Sequence, residues 1–380
     1  MNENDAYSKN EIIHKLSRSG AQPQSVLQFL PELLLPWYDD NKRDLPWREN
    51  TDPYRVWVSE IMLQQTRVEA AKDRYLLFMR ELPAVRDLAD CSDDKLFKLW
   101  EGLGYYTRAR NLRAAAKIVA EHGFPQDAEG WKKLPGIGAY TAGAIASIAF
   151  GQPAPAVDGN VVRVLSRLLG DGREQKTLKK DYEKILSPVY PTERCGDFTQ
   201  SLMELGATVC TPSSPKCGIC PLKDVCKTKS DALPRPKIKA KRRKNAYTVF
   251  VFCDQTRIAL YRRKEGVLKD TYAFFNAECE LNADAAAEFL RQCGLKHFRL
   301  SEPIFHTHVF SHLEWTMCAY AVYSKENAAA LYLPSGINAP PFSDLFYAER
   351  ERTEREYSLS SAFRWCLNAL NDAARSTERK

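Results

Sequence analysis

The spacing of apolar residues divides the chain into a helical part and a later part rich in β-forming residues. From Ser25 onward, apolar positions recur at helical spacing, which predicts a helix there. Further amphipathic stretches follow, separated by short polar turns. They predict helices over residues 67–80, 93–100 and 107–121. The first two thirds of the chain are therefore expected to be all-α.

A change of composition marks the start of the second part. Residues 233–244 hold two prolines and a run of basic residues without an acidic one. This composition predicts a linker over residues 231–246, whose charge either attracts a polyanion or simply keeps a spacer solvated. Beyond it, β-formers recur between turn residues. The predicted elements are strands at 247–252, 258–261, 303–310 and 315–323 and a helix at 283–293 that stops at Gly294.

Length, charge and cysteine content bound the class of protein. At 380 residues the chain is long enough for two or three domains, and its net charge of +7 is a modest indication of a polyanionic partner. Eleven cysteines without a signal peptide indicate reduced thiols, and no apolar run approaches the length of a membrane span. We therefore expect a soluble intracellular protein. Its predicted segments are a loose arm over 1–24, a helical domain over 25–230, the linker over 231–246, an α+β domain over 247–365 and a tail over 366–380.

One helix carries an acidic residue on its apolar face. Asp52 and Pro53 form a helix start, because aspartate caps the first turn and proline fits the first helical position. In the helix that follows, Glu60 shares a face with Trp57 and Leu63. A carboxyl among apolar side chains is costly unless it is paired or protonated. The pattern leaves two readings open, a buried ion pair and a catalytic acid.

Two further acidic residues lie at positions where a carboxyl is expected to have a structural or chemical role. Asp158 directly precedes an apolar helical stripe over residues 161–169, so its simplest role is that of an N-cap. Glu204 lies amid apolar neighbours in residues 198–206. As with Glu60, its position calls for a partner or a chemical role.

Glycine- and proline-containing turns suggest contacts with a nucleic acid. In residues 134–143, Gly136 and Gly138 separate two helical segments and let backbone N–H groups approach a phosphate. Gly102 and Gly104 precede Tyr105, and basic residues follow, so the tyrosine is either exposed for insertion or part of the core. A proline-stiffened turn upstream presents two more candidates, Trp47 and Arg48.

Four cysteines form a compact ligand set. Cys210, Cys217, Cys220 and Cys226 have the spacing C-x6-C-x2-C-x5-C, with prolines and a glycine between them. All-thiolate ligation suits zinc or a [4Fe–4S] cluster. Zinc sites usually pair two C-x2-C turns, and only one is present here. A zinc knuckle and a disulfide framework remain as alternatives to a cluster.

This cysteine spacing resembles the cluster loop of helix-hairpin-helix DNA glycosylases of the endonuclease-III type. With Glu60, Tyr140 and Asp158, the chain resembles the adenine DNA glycosylases of the MutY type over residues 25–365. The resemblance implies an all-α helix-hairpin-helix glycosylase core with a [4Fe–4S] loop over 210–226, followed by an α+β Nudix-like domain that recognises the lesion. The metal-binding box of Nudix hydrolases is absent from the sequence, so no pyrophosphatase activity is expected. Residues 271–275 also depart from the family pattern.

The resemblance assigns roles to individual residues. Glu60 would be the general acid and Asp158 the stabiliser of the oxocarbenium ion, with Asn160 and Tyr140 holding Asp158 and the sugar in place. Bifunctional relatives carry a lysine at the position of Tyr140, so a monofunctional enzyme is implied. The residues implied to bind DNA or substrate are Trp47, Arg48, Leu63, Gln65, Tyr105, Gly136, Gly138, Glu204, Phe310, Ser311 and His312. The cluster ligands would be Cys210, Cys217, Cys220 and Cys226.

The function implied is base excision repair by a monomer acting on double-stranded DNA. Its substrate would be adenine opposite 8-oxoguanine or guanine, and its place the bacterial cytoplasm with the nucleoid, or the nucleus in a eukaryote. Two alternatives stay open: a pyrimidine-lesion glycosylase with lyase activity, and a catalytically silent Fe–S scaffold that binds DNA. The first would need a hairpin lysine and no Nudix-like domain.

Overall fold

The computed structural model describes Glu11 and residues 23–235, 241–254 and 256–367. The predicted arm over 1–24 and tail over 366–380 lie almost wholly outside these residues. The chain divides into two compact units. One comprises Met1–Asp90 with Arg110–Ile238, and the other Cys91–Ala109 with Lys239–Lys380.

The helices follow the predicted pattern closely. After a 3₁₀ turn at Pro23–Phe29, the helices of the first two thirds are α1 Leu30–Asn41, α2 Pro53–Leu63, α3 Val68–Glu81, α4 Val85–Asp90, α5 Asp93–Leu99, α6 Thr107–His122, α7 Ala128–Lys132, α8 Ala139–Phe150, α9 Gly159–Leu169, α10 Gln175–Leu186 and α11 Cys195–Thr208. The helices predicted over 67–80, 93–100 and 107–121 correspond to α3, α5 and α6. Amphipathic periodicity was sufficient to locate them because each buries one stripe.

Local capping explains where the two functionally important helices begin. Asp52 accepts a hydrogen bond from the Arg55 backbone N–H at 2.9 Å, and Pro53 opens α2. Asp158 accepts one from the Val161 N–H at 2.7 Å and starts α9. The apolar sides of α1, α9, α10 and α11 then meet in one core. This core fixes the position from which Asp158 projects.

The second unit is built on an eight-stranded sheet. Its strands are β1 Arg243–Asp254, β2 Arg257–Arg262, β3 Tyr272–Ala273, β4 Phe275–Ala277, β5 Arg299–Leu300, β6 Ile304–Val309, β7 Leu313–Tyr323 and β8 Phe346–Glu349. The main path runs β3-β2-β1-β7-β5, with β4 paired to β1, β6 to β7 and β8 to β2. β1 and β7 are parallel, and the other pairs are antiparallel. The predicted helix over 283–293 is α12, Ala283–Gln292, and α13 spans Arg350–Glu356.

Two boundaries differ from those expected from the sequence. β1 begins at Arg243, inside the predicted linker over 231–246, because Arg243 pairs with Leu313 at the start of the parallel ladder. Residues 91–109, expected in the helical domain, cluster with the sheet unit instead. Contacts far apart in sequence hold them there, including the hydrogen bond from the Tyr272 hydroxyl to Asp94 at 3.0 Å. Residues 236–240 of the predicted linker lie outside the described part of the chain.

Within the described ranges, none of the helices has the length and apolar character needed to cross a bilayer.

Candidate active site

A cavity of about 180 Å³ in the helical unit gathers the predicted catalytic residues and part of the predicted substrate-binding set. Its walls come from α2, α8, α9 and α11 and from the turn before α2. Eight residues predicted from the sequence line it: Trp47, Arg48, Glu60, Leu63, Tyr140, Asp158, Asn160 and Glu204. These residues span more than 150 positions in the chain, so tertiary packing brings them together.

Glu60 is a buried carboxyl at the inner wall of this cavity. Only 7% of the residue is exposed, and its Oε2 accepts a hydrogen bond from the Tyr140 hydroxyl at 2.6 Å. Burial raises the pKa of Glu60 to about 7, and the charge of Asp158 adds to the rise. The Tyr140 hydrogen bond and the charge of Arg48 act in the opposite direction. Glu60 therefore retains a proton near neutral pH.

Asp158 is both a helix cap and a cavity residue. Its Oδ1 accepts from the Val161 N–H, and its Oδ2 accepts from Asn160 Nδ2 at 2.8 Å. Burial raises the pKa of Asp158, while these hydrogen bonds and the charge of Arg163 lower it. The N-terminus of α9 favours the ionised form of Asp158. Burial works against that effect, since desolvation disfavours the charged form.

Tyr140 bonds the buried Glu60. With Asn160 it was expected to hold Asp158 and the sugar in place, and its hydroxyl donates to Glu60. Its other close contacts are Met203 Sδ at 3.8 Å from the hydroxyl and Lys179 Nζ at 5.8 Å from the ring centroid. The reason is geometric, because α8 faces α2 across the cavity. Asn160 donates a hydrogen bond to Asp158 directly.

Asn160 is itself held by a residue that sequence reasoning missed. Arg163, one turn further along α9, donates from Nη2 to Asn160 Oδ1 at 2.8 Å and to the Gly206 carbonyl at 2.7 Å. Its Nε donates to the Cys210 carbonyl at 2.7 Å. A Cβ at Gly206 would lie 2.6 Å from the Asn160 Cβ, so only glycine permits this approach. The only sequence signal was the three-residue spacing from Asn160 to Arg163.

Glu204 closes the cavity as the centre of a buried ion pair. It is 1% exposed and receives Arg43 Nε at 2.6 Å and Arg48 Nη2 at 2.8 Å. Burial opposes ionisation of Glu204, but the hydrogen bonds and charges of the two arginines outweigh it and lower its pKa. Arg43 also lines the cavity and was not predicted. Its partner lies 161 residues away, beyond the reach of any local pattern.

Other predicted residues of the helical unit occupy turns. Trp47 is buried and meets Tyr75 edge to face at 5.4 Å. Gln65 is exposed just after α2 and has a φ of +57°, a strained value for a residue other than glycine. Gly136 has a φ of +76°, and Gly138 directly precedes α8. The hairpin therefore leaves the first N–H groups of α8 without helical partners.

In the sheet unit, Tyr105 and the predicted lesion loop lie together. The Tyr105 hydroxyl and Ser311 Oγ share a hydrogen bond. Both residues, with Phe310 and His312, line a cavity of about 380 Å³. Tyr105 is 46% exposed and has a φ of +46°. Like Gln65, it is an exposed side chain on a strained backbone.

The four predicted cluster ligands follow α11 in one loop. None of the four forms a disulfide, and burial together with the neighbouring Cys210, Cys226 and Cys217 raises the pKa of Cys220 to about 11. Within the described ranges no three His, Cys, Asp or Glu side chains converge on a point that could hold a single metal ion. A four-iron cluster makes a different demand, since four cysteines share several iron atoms. The donor set fits such a cluster.

A buried arginine braces this loop. Arg167 is 2% exposed and donates to the carbonyls of Thr211 at 2.7 Å and Pro212 at 2.9 Å. Its Nη1 also lies 3.4 Å from Cys210 Sγ, and its Nε donates to the Leu233 carbonyl at 2.7 Å. Such donors stabilise sulfur ligands that carry negative charge. The sequence showed Arg167 only as a polar position in the α9 stripe.

Comparison with known proteins places these features in a family context. Residues 58–189 match the family model of the HhH-GPD superfamily base excision DNA repair protein. Residues 210–226 match the iron–sulfur binding domain of endonuclease III. The [4Fe–4S] cofactor predicted from the cysteine spacing is thereby confirmed. The predicted fold is confirmed in its coarser form, which is a helical glycosylase core followed by a sheet-containing region.

Curated relatives are adenine DNA glycosylases. The chain is 44% identical to that of Arabidopsis thaliana over 224 residues and 46% identical to that of Homo sapiens over 210 residues. It is 41% identical over 201 residues to that of Buchnera aphidicola subsp. Baizongia pistaciae. These matches cover 51–52% of this chain and 36%, 38% and 57% of the respective relatives. The resemblance to adenine DNA glycosylases is confirmed over that part.

Solved structures resemble about half of the chain. A thermostable thymine-DNA glycosylase has 29% identity and a TM-score of 0.49, with 54% of this chain and 95% of that chain covered. A non-covalent endonuclease III–DNA complex has 24% identity and a TM-score of 0.47, with 55% and 96% covered.

Proposed function

We propose that this chain is a monofunctional DNA glycosylase that hydrolyses the N-glycosidic bond of adenine mispaired with 8-oxoguanine or guanine in duplex DNA. The observation that carries the proposal is that two carboxyls, the buried Glu60 and the partly buried Asp158, line one cavity. The names of the curated relatives support adenine as the base.

Glu60 acts as the general acid. Adenine is a poor leaving group unless it departs as a neutral base, so a proton must reach it as the glycosidic bond breaks. A carboxyl with a pKa of about 7 holds that proton at neutral pH and can still release it. After bond cleavage the same group, now ionised, activates the attacking water.

Asp158 acts in its ionised form beneath the sugar. The transition state has oxocarbenium character, and a fixed carboxylate stabilises the developing positive charge. Hydrogen bonds from Val161 and Asn160 favour the ionised form against the effect of burial. Two carboxyls with different surroundings thus divide the acid and the electrostatic role.

Tyr140 supports hydrolysis without strand cleavage. Lyase chemistry requires an amine that forms an imine with the sugar. The hairpin position carries a phenol, which forms no imine. Its hydrogen bond to Glu60 instead orients the acid.

DNA recognition is assigned to exposed turns in each of the two units. The target base must leave the duplex to reach Glu60. Gln65 and Tyr105, exposed on strained backbone, fill the space it leaves, and the hairpin glycines Gly136 and Gly138 present N–H groups to a phosphate. The adenine is received by Trp47, Arg48, Leu63 and Glu204.

Phe310, Ser311 and His312 sense the 8-oxoguanine strand from a domain of Nudix-like fold. The contact between Tyr105 and Ser311 supports this role, since it joins two predicted DNA-binding side chains. The residues at 271–275 that depart from the family pattern are buried in the core of the sheet unit. Their divergence therefore bears on the packing of the sheet unit.

The cluster supplies structural order to the loop after α11. Cys210, Cys217, Cys220 and Cys226 would hold it, and its chemistry takes no part in hydrolysis. The exposed Lys216 and Lys223 of the same loop are suited to contact phosphates. We further propose a monomer that works on chromosomal DNA, in the bacterial nucleoid or in a nucleus.

Single-turnover excision tests the proposal. Purified holoprotein is incubated with duplexes carrying A:8-oxoguanine, A:G or A:T, and free adenine is measured. We expect release from the first two and no strand cleavage until alkali is added. Glu60→Gln should abolish excision and retain binding to the A:8-oxoguanine duplex. The proposal is overturned if the wild type releases no adenine.

A further inference from the structure

The Tyr105 turn, residues 102–105, has an unusual backbone. Gly102, Gly104 and Tyr105 have φ values of +91°, +67° and +46°. This left-handed region suits glycine, whereas a tyrosine remains there only when surrounding contacts hold it. The whole turn belongs to the sheet unit, within the segment Cys91–Ala109. The contacts that hold Tyr105 must therefore be sought close to the turn itself.

One arginine of the same segment bonds the turn at three backbone positions. Arg108 Nη2 donates to the carbonyls of Leu103 at 2.7 Å and Gly104 at 3.1 Å. Its backbone N–H donates to the Tyr105 carbonyl at 2.8 Å. Both hydrogens of Nη2 are thus directed at the peptide groups just before Tyr105. Arg108 thereby fixes the backbone on both sides of the tyrosine.

The same guanidinium lies close to two aromatic rings. Its central carbon is 5.8 Å from the ring centroid of Tyr105 and 5.4 Å from that of Trp100. Trp100 is fully buried, and its Nε1 donates to the Gly104 carbonyl at 3.1 Å. A cation near the face of an aromatic ring is attracted to it. Arg108 therefore connects a ring fixed in the core with the exposed ring of Tyr105.

An arginine beside a residue proposed to enter DNA has a simpler use, which is to bind a phosphate. Two observations argue against that use for Arg108. Both hydrogens of its Nη2 are already bonded to the turn. Burial lowers the pKa of Arg108 to about 10, although the neighbouring Tyr105 acts in the opposite direction. The guanidinium is therefore charged at neutral pH but withdrawn from the solvent that a phosphate would occupy.

We propose that Arg108 is a positioning residue for base flipping, which holds Tyr105 in its exposed left-handed conformation so that the ring enters the duplex already oriented. The inference rests on the proposed function, in which Tyr105 fills the space left by the extruded base. The hydrogen bond with Ser311 holds the hydroxyl end of the tyrosine, and Arg108 holds its backbone end. A side chain ordered in advance loses less conformational entropy on insertion than a mobile one.

A double-mutant cycle in single-turnover excision tests whether Arg108 acts through Tyr105. Arg108→Met and Tyr105→Ala should each lower the rate on the A:8-oxoguanine duplex by about tenfold or more, equivalent to ~1.4 kcal/mol or more of activation free energy. The double variant should be no slower than Tyr105→Ala. Losses that add would overturn the proposal, because Arg108 would then act independently of the tyrosine.

Two further variants control for charge and for folding. Arg291→Met is the matched control, because its side chain is 60% exposed, pairs with Glu288 and lies 6.0 Å from the Phe298 ring centroid. It should leave the rate unchanged. Arg108→Lys keeps the charge but loses the planar fork, so it should restore only part of the rate. Full restoration would overturn the proposal. Should Arg108→Met fail to yield holoprotein, the partial loss in Arg108→Lys must likewise vanish in the Tyr105→Ala background.

The salt dependence of binding separates positioning from a phosphate contact. Each phosphate contact on duplex DNA contributes ~0.9 to the slope of log affinity against log salt concentration. Glu60→Gln holoprotein should bind the A:8-oxoguanine duplex with the same slope whether or not it also carries Arg108→Met. A slope smaller by about 0.9 would assign Arg108 to a phosphate and overturn the proposal.

Fluorescence of 2-aminopurine placed next to the target adenine reports insertion without excision. Binding of the Glu60→Gln holoprotein should raise the fluorescence as the neighbouring base is unstacked. Arg108→Met and Tyr105→Ala, each added to this protein and measured well below its unfolding midpoint, should remove most of the rise. An unchanged rise with Arg108→Met overturns the positioning role. Failure of the proposed function is seen separately, as the absence of adenine release by the wild type.

Discussion

Glu60→Gln should stabilise the folded protein by an amount that grows as pH rises from about 4.5 to about 7 and then stays constant. In the wild type, ionisation of Glu60 requires a charge in a site that is 7% exposed. Glutamine has nearly the same shape, can accept the Tyr140 hydrogen bond and never ionises. The substitution therefore removes the cost of a buried charge without opening a cavity.

The magnitude follows from the pKa of Glu60. It is about 7 in the folded chain against a usual value of 4.5. At ~1.4 kcal/mol per pH unit, ionisation of Glu60 costs about 3 kcal/mol more in the folded chain than in the unfolded chain. As pH rises through 4.5 the unfolded chain loses this proton first, so the free energy of unfolding falls until the folded group ionises near 7. The variant should match the wild type near pH 4.5 and exceed it by about 3 kcal/mol at pH 8.

Anaerobic denaturant unfolding of both holoproteins, repeated from pH 4.5 to 8.5, measures this difference. Other titrating groups are common to both proteins and cancel. Glu129→Gln is the matched control, because its carboxylate side chain is 78% exposed and pairs with Lys132. It should show no such dependence on pH. A gap between Glu60→Gln and the wild type that is the same at pH 5 and pH 8 would refute the assignment of a buried, protonated acid.

Three further substitutions probe the same cavity. Tyr140→Phe removes the hydrogen bond that lowers the pKa of Glu60. The alkaline limb of the pH–rate profile for excision should therefore move to higher pH by about 1–2 units, and an unmoved limb would contradict this role of Tyr140. Gly206→Ala places a Cβ 2.6 Å from that of Asn160. The rate of single-turnover excision should fall at least tenfold, which corresponds to an activation free energy higher by roughly 1.4 kcal/mol or more, while the cluster absorbance persists. Unchanged excision would show that Asn160 need not be held. Glu204→Ala leaves two arginines facing each other and should lower the free energy of unfolding, measured with denaturant, by about 3 kcal/mol. This value is at the low end of the range for broken buried ion pairs because the Arg43 side chain is 36% exposed. A loss below about 1 kcal/mol would mean that solvent screens the pair.

The features predicted correctly from the sequence are those that depend on neighbours within a few residues. Asp52 and Asp158 were identified as caps because a cap bonds to a backbone N–H three residues away. The burial of Glu60 was foreseeable because an amphipathic helix carries its apolar face at fixed intervals. The cysteine loop was recognisable for the same reason, since all four ligands lie within 17 residues.

Contacts between segments that are distant in the chain could not be predicted from neighbouring residues. The partner of Glu204 could have been any of many basic residues, and only the packing of α11 against the turn before α2 selected Arg43 and Arg48. The hydroxyl of Tyr140 went to Glu60 because α8 faces α2. Likewise β1 starts at Arg243 because its partner strand begins at Leu313.

The sequence by itself determined which residues can cap, ligate iron or carry a proton, because those properties belong to the side chain and its nearest neighbours. The tertiary structure decided which of them meet, how far each carboxyl is removed from water and therefore at what pH it ionises. Desolvation and pairing depend on every segment that closes over a group. They have no local signature until the chain is packed.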